Sequence, residues 1–215
     1  MEKKIIYFEK PGPTNTEETL RIALEEAKAR NINKIVLAST RGVTAQQAAV
    51  LLEGTPIKLV VVPHQFGFMG YEQRFTPEIV AELEAQGHKV HFATMLFHTD
   101  GFYGSGAPEA MAQVLRTICQ GMKVVVEIVL MATDGGHLVP GEEVVVVTGT
   151  GRGADTAVLA HAATSSKLHD LHIIEILCKP LATRSWSRGT SPHDPPKTPV
   201  NSSEDTSIAQ WDSIN

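Results

Sequence analysis

The sequence predicts an α/β protein with a mostly parallel sheet and helices on both faces, and three observations carry that expectation. Short β-rich runs alternate with helical patterns through the first 180 residues. Two of those runs pass into loops of glycine, hydroxyl residues and arginine, as strands of such sheets do at their carboxyl ends. The composition, 42% hydrophobic and 20% charged over 215 residues, matches an ordinary globular domain with a sizeable core.

The β-like runs are residues 4–8, 34–39, 58–62, 89–94, 143–148 and 171–178. After the first of them, Leu20, Ala23, Leu24 and Ala27 stand at i, i+3, i+4 and i+7 and predict an amphipathic helix. Thr14 with Glu17, and Asn15 with Glu18, have the spacing of a capping box at its start. The same stripe recurs in Ala45, Ala48, Ala49 and Leu52, and in Met111, Val114, Leu115 and Ile118. Another helix is expected from Thr76-Pro77-Glu78, with proline at its first position. The run MKVVVEIVLMATDGG is valine-rich, but its length favours a buried helix ending at Gly135-Gly136. The stretch ADTAVLAHAA, residues 154–163, is read as a helix following the second glycine loop.

From residue 181 onward the composition changes. Residues 181–215 are rich in Pro, Ser, Thr and Asp without helical or strand period, so this tail is expected to be disordered. It carries Trp186 and Trp211, read either as docking points for a partner or as exposed side chains. The net charge of −5 creates no basic field, so neither nucleic acid nor an anionic membrane is an expected partner. Two separated cysteines, Cys119 and Cys178, read as buried reduced thiols. The N-terminal MEKKIIYFEK lacks the apolar stretch of a signal peptide and no run is long enough to span a bilayer, so a soluble cytoplasmic protein is expected.

Two loops carry the chemistry. The first holds Ser39, Thr40, Arg41, Gly42 and Thr44, and the second Thr148, Gly149, Thr150, Gly151, Arg152, Gly153, Ala154, Asp155 and Thr156. Glycine allows backbone N–H groups to converge on an anion, a following helix leaves unpaired donors, and arginine pairs with phosphate oxygens. Both are therefore expected to be strand-loop-helix anion sites. The second also satisfies G-x-G-x-x-A through Gly149, Gly151 and Ala154, with Glu175 about twenty positions on, the outline of a dinucleotide fingerprint. Glu175 stands in mid-strand and almost no ordered chain follows, which weighs against that alternative.

Further candidates lie beside these loops. Lys10 and Asn15 stand at a third strand-to-helix entry, and His64 and Gln65 open the segment after residues 58–62, where Phe66 and Phe68 either flank a flat ligand or pack. Residues 97–108, FHTDGFYGSGAP, read as a mobile loop with the character of a lid. Glu127, in an apolar segment, is either paired in the core or faces the ligand. His169 and His172 are three apart, but no zinc site is expected from them.

The pairing of STRGVTA with TGTGRGADTA resembles the C-terminal α/β domain of pyruvate kinases, where the two corresponding loops hold the phosphates of a sugar-bisphosphate activator. The stretches YFEKPGPTNTEETL, MKVVVEIVLMATDGG, RGADTAV and IIEILCKP resemble more closely the stand-alone relatives of that domain in archaea and some bacteria. The resemblance spans residues 1–180 and is thinnest over GFMGYEQRFTP and FHTDGFYGSGAP. It implies a three-layer α/β/α sandwich whose final strand runs antiparallel, and flavin mononucleotide (FMN) as the associated ligand. No pyruvate kinase activity is expected, because that chemistry occupies a separate (β/α)₈ barrel of about 250 residues and no carboxylate cluster for phosphoryl transfer is visible.

The function expected from sequence is thus the binding of a phosphorylated small molecule, FMN or another phosphorylated ligand, with no reaction named. The alternatives are an NAD-dependent oxidoreductase built on Gly149, Gly151, Ala154 and Glu175, and a non-catalytic regulatory or assembly domain. Homo-oligomer formation is left open.

Overall fold

Parallel strands need crossovers, and the chain supplies them as helices on alternate faces. The structure, a computed structural model, describes residues 2–68 and 70–182. The expectation of disorder over 181–215, with its two tryptophans, lies outside the described residues except for Leu181 and Ala182.

The strands are β1 (Ile6–Phe8), β2 (Lys34–Ala38), β3 (Lys58–Val62), β4 (Lys89–Val90), β5 (Glu143–Thr148), β6 (Thr156–His161) and β7 (His172–Pro180). The helices are α1 (Thr16–Ala29), α2 (Val43–Leu51), α3 (Pro77–Ala85), α4 (Asp100–Tyr103), α5 (Ala107–Arg116) and α6 (Gln120–Asp134). One sheet of seven strands runs in the order β1-β7-β6-β5-β2-β3-β4. All pairings are parallel except β5 with β6 and β6 with β7. The last strand, β7, therefore runs antiparallel to β6 and parallel to β1, and β6 is the strand that opposes the rest.

Side chains alternate between two cores, as a period of two requires. Ile35, Leu37, Leu59, Val61, Val145 and Val147 face α1, α2 and α3. Val36, Val60, Val62, Val144 and Val146 face α6, which presents Met122, Val125, Ile128, Val129 and Ala132. The long apolar run is thus a buried helix, α6, ending at Gly135 as expected. Among the described residues no helix is long and apolar enough to cross a membrane.

Three sequence expectations are corrected. Residues 154–163 do not form a helix: Thr156–His161 is strand β6, paired on one side with β5 and on the other with β7. Buried on both faces, it shows a continuous apolar run with no period, and its two cross-strand neighbours override the helix preference of its alanines. Helix α1 begins at Thr16 without a side-chain cap, because a 3₁₀ turn over Pro13–Asn15 takes the place of the expected capping box. Residues 97–108 are helical for much of their length, in a 3₁₀ turn over Leu96–His98, in α4 and at the start of α5.

Candidate functional site

Three loops leave the carboxyl edge side by side, because β2 pairs with β5 on one side and β3 on the other. They are residues 149–155 after β5, 39–42 after β2 and 63–68 after β3. The chain turns toward α2 after β2 but back into β6 after β5, so the two glycine loops part at the place where the strand order reverses. In sheets of this kind ligands bind at that position.

The first loop has the geometry expected of it. Gly42 caps α2 at φ 87°, a left-handed conformation, and a Cβ there would stand 2.7 Å from Ile79 Cδ1, so glycine is required twice over. The first bond of α2 runs from Gln46 N–H to the Gly42 carbonyl at 2.8 Å. The N–H groups of Val43, Thr44 and Ala45 consequently have no intrahelical acceptor. Ser39 and Thr44 are buried, Thr40 is half-buried and Arg41 is exposed.

The second loop is organised differently. It joins two strands, so it has no helix N-terminus, and a carboxylate occupies its interior. Asp155, fully buried, accepts from Thr150 N–H (3.1 Å), Gly12 N–H (3.0 Å) and the Thr156 hydroxyl (2.9 Å). Ala154 N–H donates to Thr16 Oγ1 (3.0 Å), and Asp155 N–H to the Thr148 carbonyl (3.0 Å). Gly153, at φ 70°, lies where a Cβ would meet Thr16 Oγ1 at 2.3 Å and Pro13 Cα at 2.6 Å. Its glycine is thus demanded by the docking of this loop on the start of α1. The Thr148 hydroxyl donates to the Gly121 carbonyl at 2.9 Å, binding β5 to α6. What this loop offers a ligand is Gly151, the exposed Arg152 and the Thr150 hydroxyl, which is buried without a hydrogen-bond partner among the described residues.

The remaining sequence candidates divide in the same way. The Asn15 amide donates to the Lys10 carbonyl (2.8 Å), closing its own loop, while the Lys10 side chain is exposed. Gln65 Oε1 accepts from Met95 N–H at 2.7 Å and so holds the segment after β4. His64 packs edge-on against Phe68, its Nδ1 buried with no partner among the described residues. Glu175 pairs with Arg30 (2.7 Å) and Lys3 (3.1 Å) on β7, and β6 stands where a dinucleotide fingerprint needs a helix. Among the described residues no group of three or more His, Cys, Asp or Glu is placed to hold a metal. Cys119 and Cys178 are both buried and unpaired, and burial pushes the Cys178 thiol up to about 12.

Sequence reasoning left Glu127 open and overlooked Lys123 and His98. Lys123 and Glu127, each 2% exposed on the inner face of α6, form an ion pair at 2.5 Å. Glu127 Oε1 also accepts from Phe97 N–H at 3.0 Å, and Lys123 Nζ lies 3.1 Å from His98 Nε2. Two side chains of α6 therefore pin the Leu96–His98 turn. The signal available was the i, i+4 spacing of Lys123 and Glu127 inside an apolar run, where an unpaired charge would be prohibitive.

Burial holds His64 and His98 below the ordinary imidazole value of 6.5, and the Lys123 ammonium lowers both further. Neutral His98 can accept from Lys123; protonated His98 cannot. His88 and His137 are held down by burial as well. In each case the unfolded chain binds more protons between the lowered value and 6.5, so stability falls as pH drops through 6.5 and levels off below the lowered values. The lowered carboxyls of Glu18 and Glu78 act only below their ordinary 4.5. We expect the urea midpoint to decline between about pH 7 and 5, and less steeply in His98→Gln. An unchanged midpoint over that range contradicts the burial of these rings.

No family model matches the sequence. Among solved structures, the fold is similar to a pyruvate kinase from Cryptosporidium parvum, with a TM-score of 0.41 and 13% identity over 69% of this chain and 23% of that one. A structure of the C. parvum pyruvate kinase in complex with ADP gives a TM-score of 0.37 and 15% identity over 71% and 24% of the two chains. A further C. parvum pyruvate kinase structure gives 0.37 and 14% over 72% and 23%. The chain thus spans about a quarter of the length of the pyruvate kinases it matches.

Proposed function

We propose that this protein binds a phosphorylated small molecule at the start of α2, with FMN the first candidate. The observations that carry the reading are the uncapped first turn of α2 and the buried, unpartnered hydroxyl of Thr150, on loops that follow the paired strands β2 and β5. The phosphate would be held by the N–H groups from Gly42 to Ala45, the hydroxyls of Ser39, Thr40, Thr44 and Thr150, and the guanidinium groups of Arg41 and Arg152. Hydrogen bonds to a charged group contribute roughly 1.5–3 kcal/mol each, and the helix dipole only about 0.3–1 kcal/mol. Affinity is therefore set by how many donors converge. The ring or sugar of the ligand would lie toward His64 and Phe68. When bound, FMN supplies one- and two-electron redox chemistry at its ring; the residues named here bind and orient it. The buried, unpaired cysteines suit a reducing, cytoplasmic setting.

The visible spectrum of the purified protein tests for flavin. A thermal-shift series with FMN, NAD, a sugar bisphosphate and inorganic phosphate tests the wider class, since a ligand of the folded state raises its stability. FMN or another phosphorylated ligand should raise the melting temperature. Arg41→Ala and Arg152→Ala should each weaken that ligand by about tenfold or more while the unliganded melting temperature stays put. Unchanged affinity in both variants would place the site elsewhere.

A further inference from the structure

We propose that the ligand carries a single phosphate, as a phosphomonoester, and that Asp155 is the residue that turns away a second one. This rests on the reading that a phosphate binds at the start of α2, and it adds which phosphorylated compounds fit there. The two glycine loops follow neighbouring strands, β2 and β5, about 5 Å apart as paired strands are. Side by side they have the outline of a site for two phosphates. Their backbone donors, however, are disposed differently.

In the first loop the N–H groups of consecutive residues, from Thr40 to Ala45, have no acceptor among the described residues. The N–H of Ser39 before them goes to the Val62 carbonyl at 3.4 Å, and that of Gln46 after them to the Gly42 carbonyl at 2.8 Å. Successive N–H groups are what an anion nest consists of. A phosphomonoester brings three terminal oxygens to such a place, whereas a phosphorus bridged into a diphosphate brings fewer.

In the second loop the donors already serve an internal anion. The fully buried Asp155 carboxylate takes the N–H groups of Thr150 and Gly12 on one oxygen and the Thr156 hydroxyl on the other. Arg152 N–H donates to the Thr150 carbonyl at 3.0 Å, Ala154 N–H to Thr16 Oγ1 and Asp155 N–H to the Thr148 carbonyl. The N–H groups left over are those of Gly149, Gly151 and Gly153, no two of them consecutive. The hairpin is also closed on itself: a Cβ on Gly149 would stand 2.3 Å from the Gly153 carbonyl oxygen. A phosphate arriving here finds no nest and meets a like charge that solvent screens poorly. The exposed Arg152 then serves the one phosphate held by the first loop. The compounds that fit are FMN and sugar phosphomonoesters; sugar bisphosphates gain nothing from their second phosphate, and diphosphate-linked dinucleotides are disfavoured.

Isothermal titration calorimetry with matched pairs tests this: FMN against FAD, and glucose 6-phosphate against glucose 1,6-bisphosphate. FAD should bind about tenfold or more weakly than FMN, and the bisphosphate no more tightly than its monoester. Asp155→Asn should raise the affinity for the two-phosphate member of a pair about tenfold relative to its partner, because it removes the like charge. Arg152→Ala should weaken both members alike. Each variant is read as a ratio between two ligands, so any loss of folded protein cancels. A two-phosphate ligand bound about tenfold more tightly than its monoester, or a loss in Arg152→Ala confined to that ligand, would overturn the proposal while leaving a phosphate site at α2. A ratio unchanged in Asp155→Asn would overturn the role of the carboxylate. Binding of none of these compounds would refute the α2 site itself and this inference with it.

Discussion

Lys123→Ala is expected to destabilise the fold by about 3–5 kcal/mol, the usual cost of breaking a buried ion pair by removing one partner. The cost arises because Glu127, at 2% exposure, would keep a charge with neither water nor ammonium to solvate it. His98 would lose its donor at the same time, and the Leu96–His98 turn would lose one of its two attachments to α6. The double variant Lys123→Met with Glu127→Gln should recover most of that loss. It removes both charges, while the amide oxygen can still accept from Phe97 N–H. Urea unfolding of the three proteins measures this. A single-variant loss below about 1 kcal/mol would mean that solvent reaches Glu127 and that the pair is not sealed by α6 and Phe97.

Asp155→Ala is expected to cost a comparable amount, about 3–5 kcal/mol, for a different reason. Here the charge is removed and its donors are stranded: Gly12 N–H, Thr150 N–H and the Thr156 hydroxyl. Each buried donor left unsatisfied costs about 1–3 kcal/mol. Because Asp155 ties residues 149–155 to the loop that begins α1, hydrogen exchange should accelerate at Gly12 and Thr150 together. Asp155→Asn should restore only part of the loss: its carbonyl oxygen can take both N–H groups and its amide can donate to the Thr156 hydroxyl, but the bonds are no longer charge-assisted. Exchange unchanged at Gly12 would show that the two loops are not joined through this carboxylate.

The two sites stand differently against their sequence context: pairing in the core was one of the two roles open to Glu127, whereas the role of Asp155 differs from the one its surroundings suggest. Asp155 stands in a glycine-rich stretch that reads as a phosphate cradle, yet its carboxylate takes the N–H groups an anion would have used. The difference begins one residue later, at Thr156. The stretch TAVLAHAA is apolar on both faces in the fold, and a segment buried on both faces has no period to separate helix from strand. Once Thr156–His161 is a strand, the loop before it is a hairpin connection. The anion site then rests chiefly on the first loop, where Gly42 does precede a helix.

The features legible in the residues alone are local ones. The start of α3 at Pro77, the helix α6 over a valine-rich run, β3 and β5 at their full lengths and the turn at Gly42 all follow from spacing, length and the steric demands of glycine and proline. The tertiary structure alone decided what depends on a distant partner. It set β6 between β5 and β7, left Met111 and Val114 of α5 exposed while packing Leu115 on the core, and brought His98 onto Lys123 and Gly12 onto Asp155. A buried charge or an orphaned donor demands a partner of a given kind. Which residue answers, 25 or 143 positions away, is fixed only when the sheet order brings the two segments together.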